Sequence, residues 1–123
     1  MANIEKANFT DKVNQLAEFW SPAIIGEVND TLIKIAKIKG GFDMHLHEEE
    51  DEAFIVLKGV LEMRFENDDP IILHPGEMVV IPKGVLHQPV AEEEVHIILV
   101  EPSSTLNTGN LVNEKTKRVL DRI

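Results

Sequence analysis

Between Thr31 and Glu101 the chain is written in short apolar runs, each closed by glycine, proline or acidic residues. That rhythm predicts strands rather than helices. Leu32, Ile33, Ile35, Ala36 and Ile38 interleave with Lys34, Lys37 and Lys39, and the run stops at Gly40-Gly41. Two further runs, AFIVLK and VLEMRF, flank Gly59 in the form of a tight hairpin. Short strands are expected at Ile71–Leu73, Met78–Ile81 and Val85–Pro89, and a longer one at Val95–Glu101. Between them stand the turn signals Glu66–Pro70, His74-Pro75-Gly76, Pro82-Lys83-Gly84 and the acidic Glu92–Glu94. Many short strands with this punctuation point to an all-β sandwich or barrel.

The two ends read differently. Residues 1–30 form an arm that is either a short helix or an irregular segment with one strand. In the helical reading Thr10 or Asp11 caps, Val13, Leu16, Ala17 and Trp20 share a face, and Pro22 stops the helix. After Pro102 the chain turns polar, and Asn113 is expected to cap a terminal helix through Glu114–Ile123. The expected layout is thus an arm (1–30), a barrel (31–102) and a tail (103–123) within one domain, as suits 123 residues.

Composition narrows the chemistry. With no cysteine, disulfides, thiolate ligands and a Cys nucleophile are excluded. A formal charge of −10 repels phosphate backbones, so no nucleic-acid partner is expected. No run approaches the roughly 18 apolar residues of a membrane span, and the opening lacks the layout of a secretory signal. A cytoplasmic location is the resulting expectation.

The informative stretch is His45-Leu46-His47, four residues, then Glu52. Side chains alternate along a strand, so His45 and His47 face the same way. Glu52 opens the next strand and can return beside them, and His87 follows the Pro82-Lys83-Gly84 turn. Three nitrogens and one oxygen suit Fe(II), Mn(II), Ni(II), Zn(II) or Cu(II). His-x-His alone is weak evidence; the order of the whole set is stronger. Glu50 and Asp51 are candidates to hydrogen-bond a liganding imidazole from behind. His74 reads as a surface residue, and Arg64, opposite Met63, as outward. Phe42, Met44, Phe54, Met63 and Phe65 read as core. His96 alternates with Val95 and Ile97, so it either faces the interior or is an ordinary strand histidine. Ser103, Ser104 and Thr105 have no evident partner base, so no nucleophilic triad is expected.

HLHEEEDEAFIVLKG resembles the first cupin motif, and GEMVVIPKGVLHQPVA the second, with Gly76, Pro82, Gly84 and His87 in register. Lys39 stands where the first motif usually opens with glycine, and Ala91 where the second often ends in asparagine; neither is a ligand position. More narrowly, the chain is similar to small bacterial cupins labelled mannose-6-phosphate isomerase-like. The resemblance implies a jelly-roll barrel, a double-stranded β-helix, with one divalent metal held by His45, His47, Glu52 and His87. It leaves three readings open. The first is a metal-dependent isomerase- or dioxygenase-type enzyme on a small polar molecule such as a sugar or organic acid, with Glu52 or His96 as candidate base. The second is a non-enzymatic ligand-binding or sensing module, and the third a storage-type barrel, disfavoured because all four ligands are present. A homodimer is expected, with Phe9, Phe19 and Trp20 of the arm covering a neighbour.

Overall fold

The computed structural model describes residues 4–123. A short helix, α1 (Phe9–Val13), precedes seven strands: β1 (Ala23–Val28), β2 (Thr31–Gly41), β3 (Glu52–Lys58), β4 (Leu61–Phe65), β5 (Ile71–Leu73), β6 (Met78–Ile81) and β7 (His87–Pro102). The expected all-β class is what the chain adopts.

These strands are segments of longer, bent antiparallel ribbons with β7 as their axis. The C-terminal part of β7 pairs with β2 on one side, Thr31↔Pro102 to Ile38↔Val95, and with β3 on the other, Ala53↔Val100 to Lys58↔His96. Its N-terminal part pairs with β4, Glu62↔Val90 to Phe65↔His87. So β3 and β4 follow one another along β7, and the hairpin expected at Gly59 does not form. The chain turns a corner there instead of doubling back. Gly59 has φ 85°, and a Cβ on it would sit 2.6 Å from the Glu94 carbonyl oxygen; only glycine accepts both conditions. Opposite it, Glu92–Glu94 bend β7 without ending it, so the two strands expected at Val85–Pro89 and Val95–Glu101 are largely one. β5 on β4 and β6 on β3 repeat the corner one ribbon further out. There the Gly76 N–H donates to the Val56 carbonyl and the Val56 N–H to that of Glu77. Ribbons wound in this way are a double-stranded β-helix, the jelly-roll barrel.

Alternation divides the apolar residues into two layers. Ala36, Ile38, Phe54, Val56, Leu61, Met63, Val95, Ile97 and Leu99 fill the barrel. Ile35 and Ile98 face outward, where Val13 and Leu16 of the arm cover them. Fully burying such a side chain stabilises by about 1.5–3 kcal/mol, so the arm closes a second core on its own barrel. Both readings of the arm hold in part. α1 is capped by Asn8, whose Oδ1 accepts from the Asp11 N–H (3.0 Å), one turn earlier than expected. β1 then adds to the edge of β2. Trp20 is not helical: its φ is 59°, its indole Nε1–H donates to the Lys39 carbonyl, and its ring stacks on Phe42.

The tail holds no helix. Asn113 Oδ1 accepts from the Lys115 N–H while its amide donates to Asp43, a local turn in place of a helix cap. The last residues lie extended beside β1, with Ile24 and Ile123 N–H groups donating to Asp121 and Ile24 carbonyls. The β1 edge satisfies backbone groups that a polar helix would have left to solvent. No described helix is long and apolar enough to cross a membrane.

Candidate metal centre

The site forms where the loop after β2 is tied to the start of β7. His45 and His87 exchange both backbone hydrogen bonds, at 3.0 and 2.8 Å, in an isolated antiparallel bridge. Such a pair brings two side chains from distant sequence onto one face. The Gly84 N–H donates to the His47 carbonyl at 2.7 Å, which ties the Pro82-Lys83-Gly84 turn to the same loop. Glu52 arrives as the first residue of β3, in phase with the inward Phe54 and Val56. The tail closes the loop from outside. Leu46 and Asn110 exchange hydrogen bonds, and Gly109 passes so close that a Cβ on it would lie 2.2 Å from the Leu46 carbonyl oxygen. Its φ of 59° also demands glycine.

Ligand atoms of His45, His47, Glu52 and His87 converge within 4.8 Å of one another, and all four side chains are buried. Glu52 Oε1 stands 3.3 Å from His47 Nε2 and 3.2 Å from His87 Nε2. His45 Nδ1 lies 2.8 Å from the Asp43 carbonyl oxygen and His87 Nδ1 2.9 Å from that of Val85. A carbonyl only accepts, so in both rings Nδ1 carries the proton and Nε2 is left with a lone pair. These carbonyls fill the supporting role expected of Glu50 and Asp51, which instead accept from Ser104 Oγ and the Lys83 N–H. Neither ring nitrogen of His47 has a hydrogen-bond partner, although both are buried. Orphaned buried imidazole nitrogens are rare and costly, and a metal ion is the group that relieves them. The residues therefore fit a divalent transition metal.

Electrostatics agree. Burial drives the His45 imidazole down to about 4, so it is neutral, as ligation requires. Burial works against the Glu52 carboxylate, but hydrogen bonds from Glu101, His47 and His87 outweigh it and hold its carboxyl well below the usual range.

Two residues were not singled out in the sequence. Lys34 and Glu101 are buried inside the barrel, with Lys34 Nζ 2.6 Å from Glu101 Oε1. Burial and the negative Glu52 raise the Glu101 carboxyl well above the usual range, and Lys34 offsets only part of this. The available signal was phase: Lys34 keeps step with Leu32, Ala36 and Ile38, and Glu101 with Val95, Ile97 and Leu99. His96 falls on the opposite phase. It points outward and meets Glu94 at 2.6 Å beside α1, so it is not part of the cluster and is no candidate base there. Arg64 points outward to Glu62, and His74 is exposed, both as expected. Phe42, Phe54 and Met63 are buried, while Met44 and Phe65 are only half-buried.

A cavity of about 50 Å³ lies beside His45 and Glu52, walled by Trp20, Phe42, Phe54 and Ile97. Glu101 also borders it.

Comparison with known proteins fits this geometry. Protein YdbB of Bacillus subtilis (strain 168), itself uncharacterized, is 36% identical over 75 residues, which are 61% of this chain and 66% of that one. Acireductone dioxygenase of Phaeosphaeria nodorum is 30% identical over 107 residues, 80% of this chain and 58% of the enzyme. The chain thus spans about three-fifths to two-thirds of the length of these curated relatives. The crystal structure of a cupin-2 domain containing protein from Shewanella frigidimarina NCIMB 400 superposes with a TM-score of 0.76 at 47% identity, covering 78% of this chain and 93% of that one. Residues 32–101 match the Cupin_2 family, described as a cupin domain. From the loop after β2 to the end of β7 this is a cupin barrel, and the chain belongs to the cupin family.

Proposed function

We propose that this cupin is a metal-dependent enzyme acting on a small polar molecule, with dioxygenase-type chemistry ahead of isomerase-type. His45, His47, Glu52 and His87 are the proposed ligands of one Fe, Mn, Ni, Zn or Cu ion. The observation that carries this reading is the buried, partnerless His47 ring among three other inward donors. When bound, such an ion supplies a Lewis acid and a template for substrate. The chain's own residues do the rest: the Asp43 and Val85 carbonyls fix two imidazoles in one tautomer, and the apolar walls of the cavity exclude water. Of the two candidate bases, Glu52 alone lies in the barrel. The preference for dioxygenase chemistry is supported by the likeness to fungal proteins named acireductone dioxygenase, of which this chain covers 58 and 59%.

The test is elemental analysis of untagged protein, followed by oxygen-electrode and isomerisation assays of Fe(II)-, Ni(II)- and Mn(II)-loaded protein against small hydroxy acids and sugars. One ion per chain and oxygen uptake that needs both ion and compound are expected. One ion per chain with no turnover of any kind would move the reading to a non-enzymatic binding module. Absence of any ion would overturn both.

A homodimer belongs to the same proposal on altered grounds. Val13 and Trp20 are spent on their own barrel, while Val60, Ile71, Ile72, Met78 and Val80 of β5, β6 and the β3–β4 corner stay exposed. Light scattering showing a monomer at tens of micromolar would rule it out.

A further inference from the structure

We propose that Glu101, anchored through Oε1 by Lys34, presents its Oε2 to a hydroxyl group of a small uncharged ligand in the barrel cavity. This deepens the reading of the barrel as a small-molecule site and rests on it. Burying a lysine and a glutamate side by side is a poor way to stabilise a core, because desolvation cancels most of their attraction. Replacing such a pair by apolar residues often leaves a protein as stable or more so, so its presence here asks for another use. Lys34 takes one carboxyl oxygen at 2.6 Å. No amine, amide or hydroxyl of the chain donates to the other, although Glu101 is only 3% exposed. That carboxyl borders the cavity, and Lys34 lies behind it, off the cavity wall.

The walls define what can enter. At roughly 10–15 Å³ per water, a space of about 50 Å³ takes three to five waters or a fragment of similar size. Most of its surface is apolar, from Trp20, Ile38, Phe54, Ile97 and Leu99. Its polar side chains include the carboxyls of Glu52 and Glu101, and no lysine or arginine lines it. An anionic group such as phosphate or carboxylate would meet two carboxyls with no cation free to answer it. A hydroxyl suits the place, since it both donates and accepts. The geometry thus selects a neutral, hydroxyl-bearing fragment and rejects a phosphorylated one.

The test titrates the full chain, metal-free and Zn(II)-loaded, with hydroxyacetone, with butanone (the hydroxyl replaced by methyl), with lactate and with inorganic phosphate. Amide chemical shifts of Ile97, Leu99 and Glu101 report on the cavity. Hydroxyacetone is expected to bind about tenfold tighter than butanone, the order of one buried hydrogen bond, and phosphate and lactate not at all. Glu101→Leu leaves Lys34 buried and unpaired and risks unfolding, so the deciding variant is Lys34→Met with Glu101→Leu. In it the barrel stays folded and the preference for hydroxyacetone over butanone disappears. Three results would overturn the proposal: no shift with hydroxyacetone in the wild type, stronger shifts with phosphate, or a preference that survives in the double variant. If the double variant changes Zn(II) affinity alone, Glu101 merely supports Glu52 and the proposal also falls. Binding as expected without turnover of any compound would instead remove the enzymatic reading and leave this one standing.

Discussion

Two parts of the barrel interior are equally dry and do different work. Deep in the barrel, Val56, Leu61 and Met63 have no solvent exposure; at the mouth, His87 has none either, and His45, His47 and Glu52 have 2–4%. Burial does not separate them. What differs is how each is held. The deep residues are held by contact with one another across β3, β4 and β7, and their free energy is spent on folding. The mouth residues are held through backbone bonds between segments far apart in sequence, and they keep lone pairs unused. The lesson is that stability and ligation are separable within one interior.

The largest effect that sharpens this contrast is Leu61→Ala. It should cost about 2–5 kcal/mol, the usual range for a buried leucine, measured by urea unfolding, while the folded fraction still takes up one ion per chain. Loss of the ion in folded Leu61→Ala would break the separation.

Next is the pH dependence of the metal-free protein. His45 takes a proton near 6.5 when unfolded but only near 4 in the fold, chiefly because burial opposes the charge. Its contribution is therefore fully present above about pH 6.5, is lost as the pH falls toward 4, and levels off below, a total of about 3 kcal/mol. Denaturant melts across that window should show the decline, and His45→Phe should flatten it.

His87→Ala should weaken metal binding by more than about 100-fold, beyond the loss seen for groups that only support a ligand. Circular dichroism should remain β-rich with a cooperative melt, because the apolar interior is untouched. At the small end, His74→Ala should leave stability within about 0.5 kcal/mol and metal content unchanged, as expected of an exposed side chain. A reversal, with His74→Ala losing the ion and His87→Ala keeping it, would sink the assignment of the site.

Much of the fold was legible because its signals are local. The period-two alternation, the turn residues and the spacing of His45, His47 and Glu52 each act over a few residues, and they named strands and ligand candidates. The corner at Gly59 was read as a hairpin because glycine between two strands looks the same in either case. Only the partner decides, and β7, thirty residues on, is that partner for both strands. Likewise Asn113 offers the same side chain to a helix cap or to Asp43, and the tail settled on the edge of β1.

The sequence by itself determined the all-β class, the inward phase of the strands and the four candidate ligands, since alternation and spacing are properties of the chain alone. Tertiary structure decided which polar residues that phase carries inside. Lys34 and Glu101 sit on different strands, and neither would be tolerated buried without the other. It decided too that His96, alternating with buried Val95 and Ile97, faces α1 rather than the site. A lone residue's phase is ambiguous until its strand has neighbours on both sides, and those neighbours are set by pairing across the whole barrel.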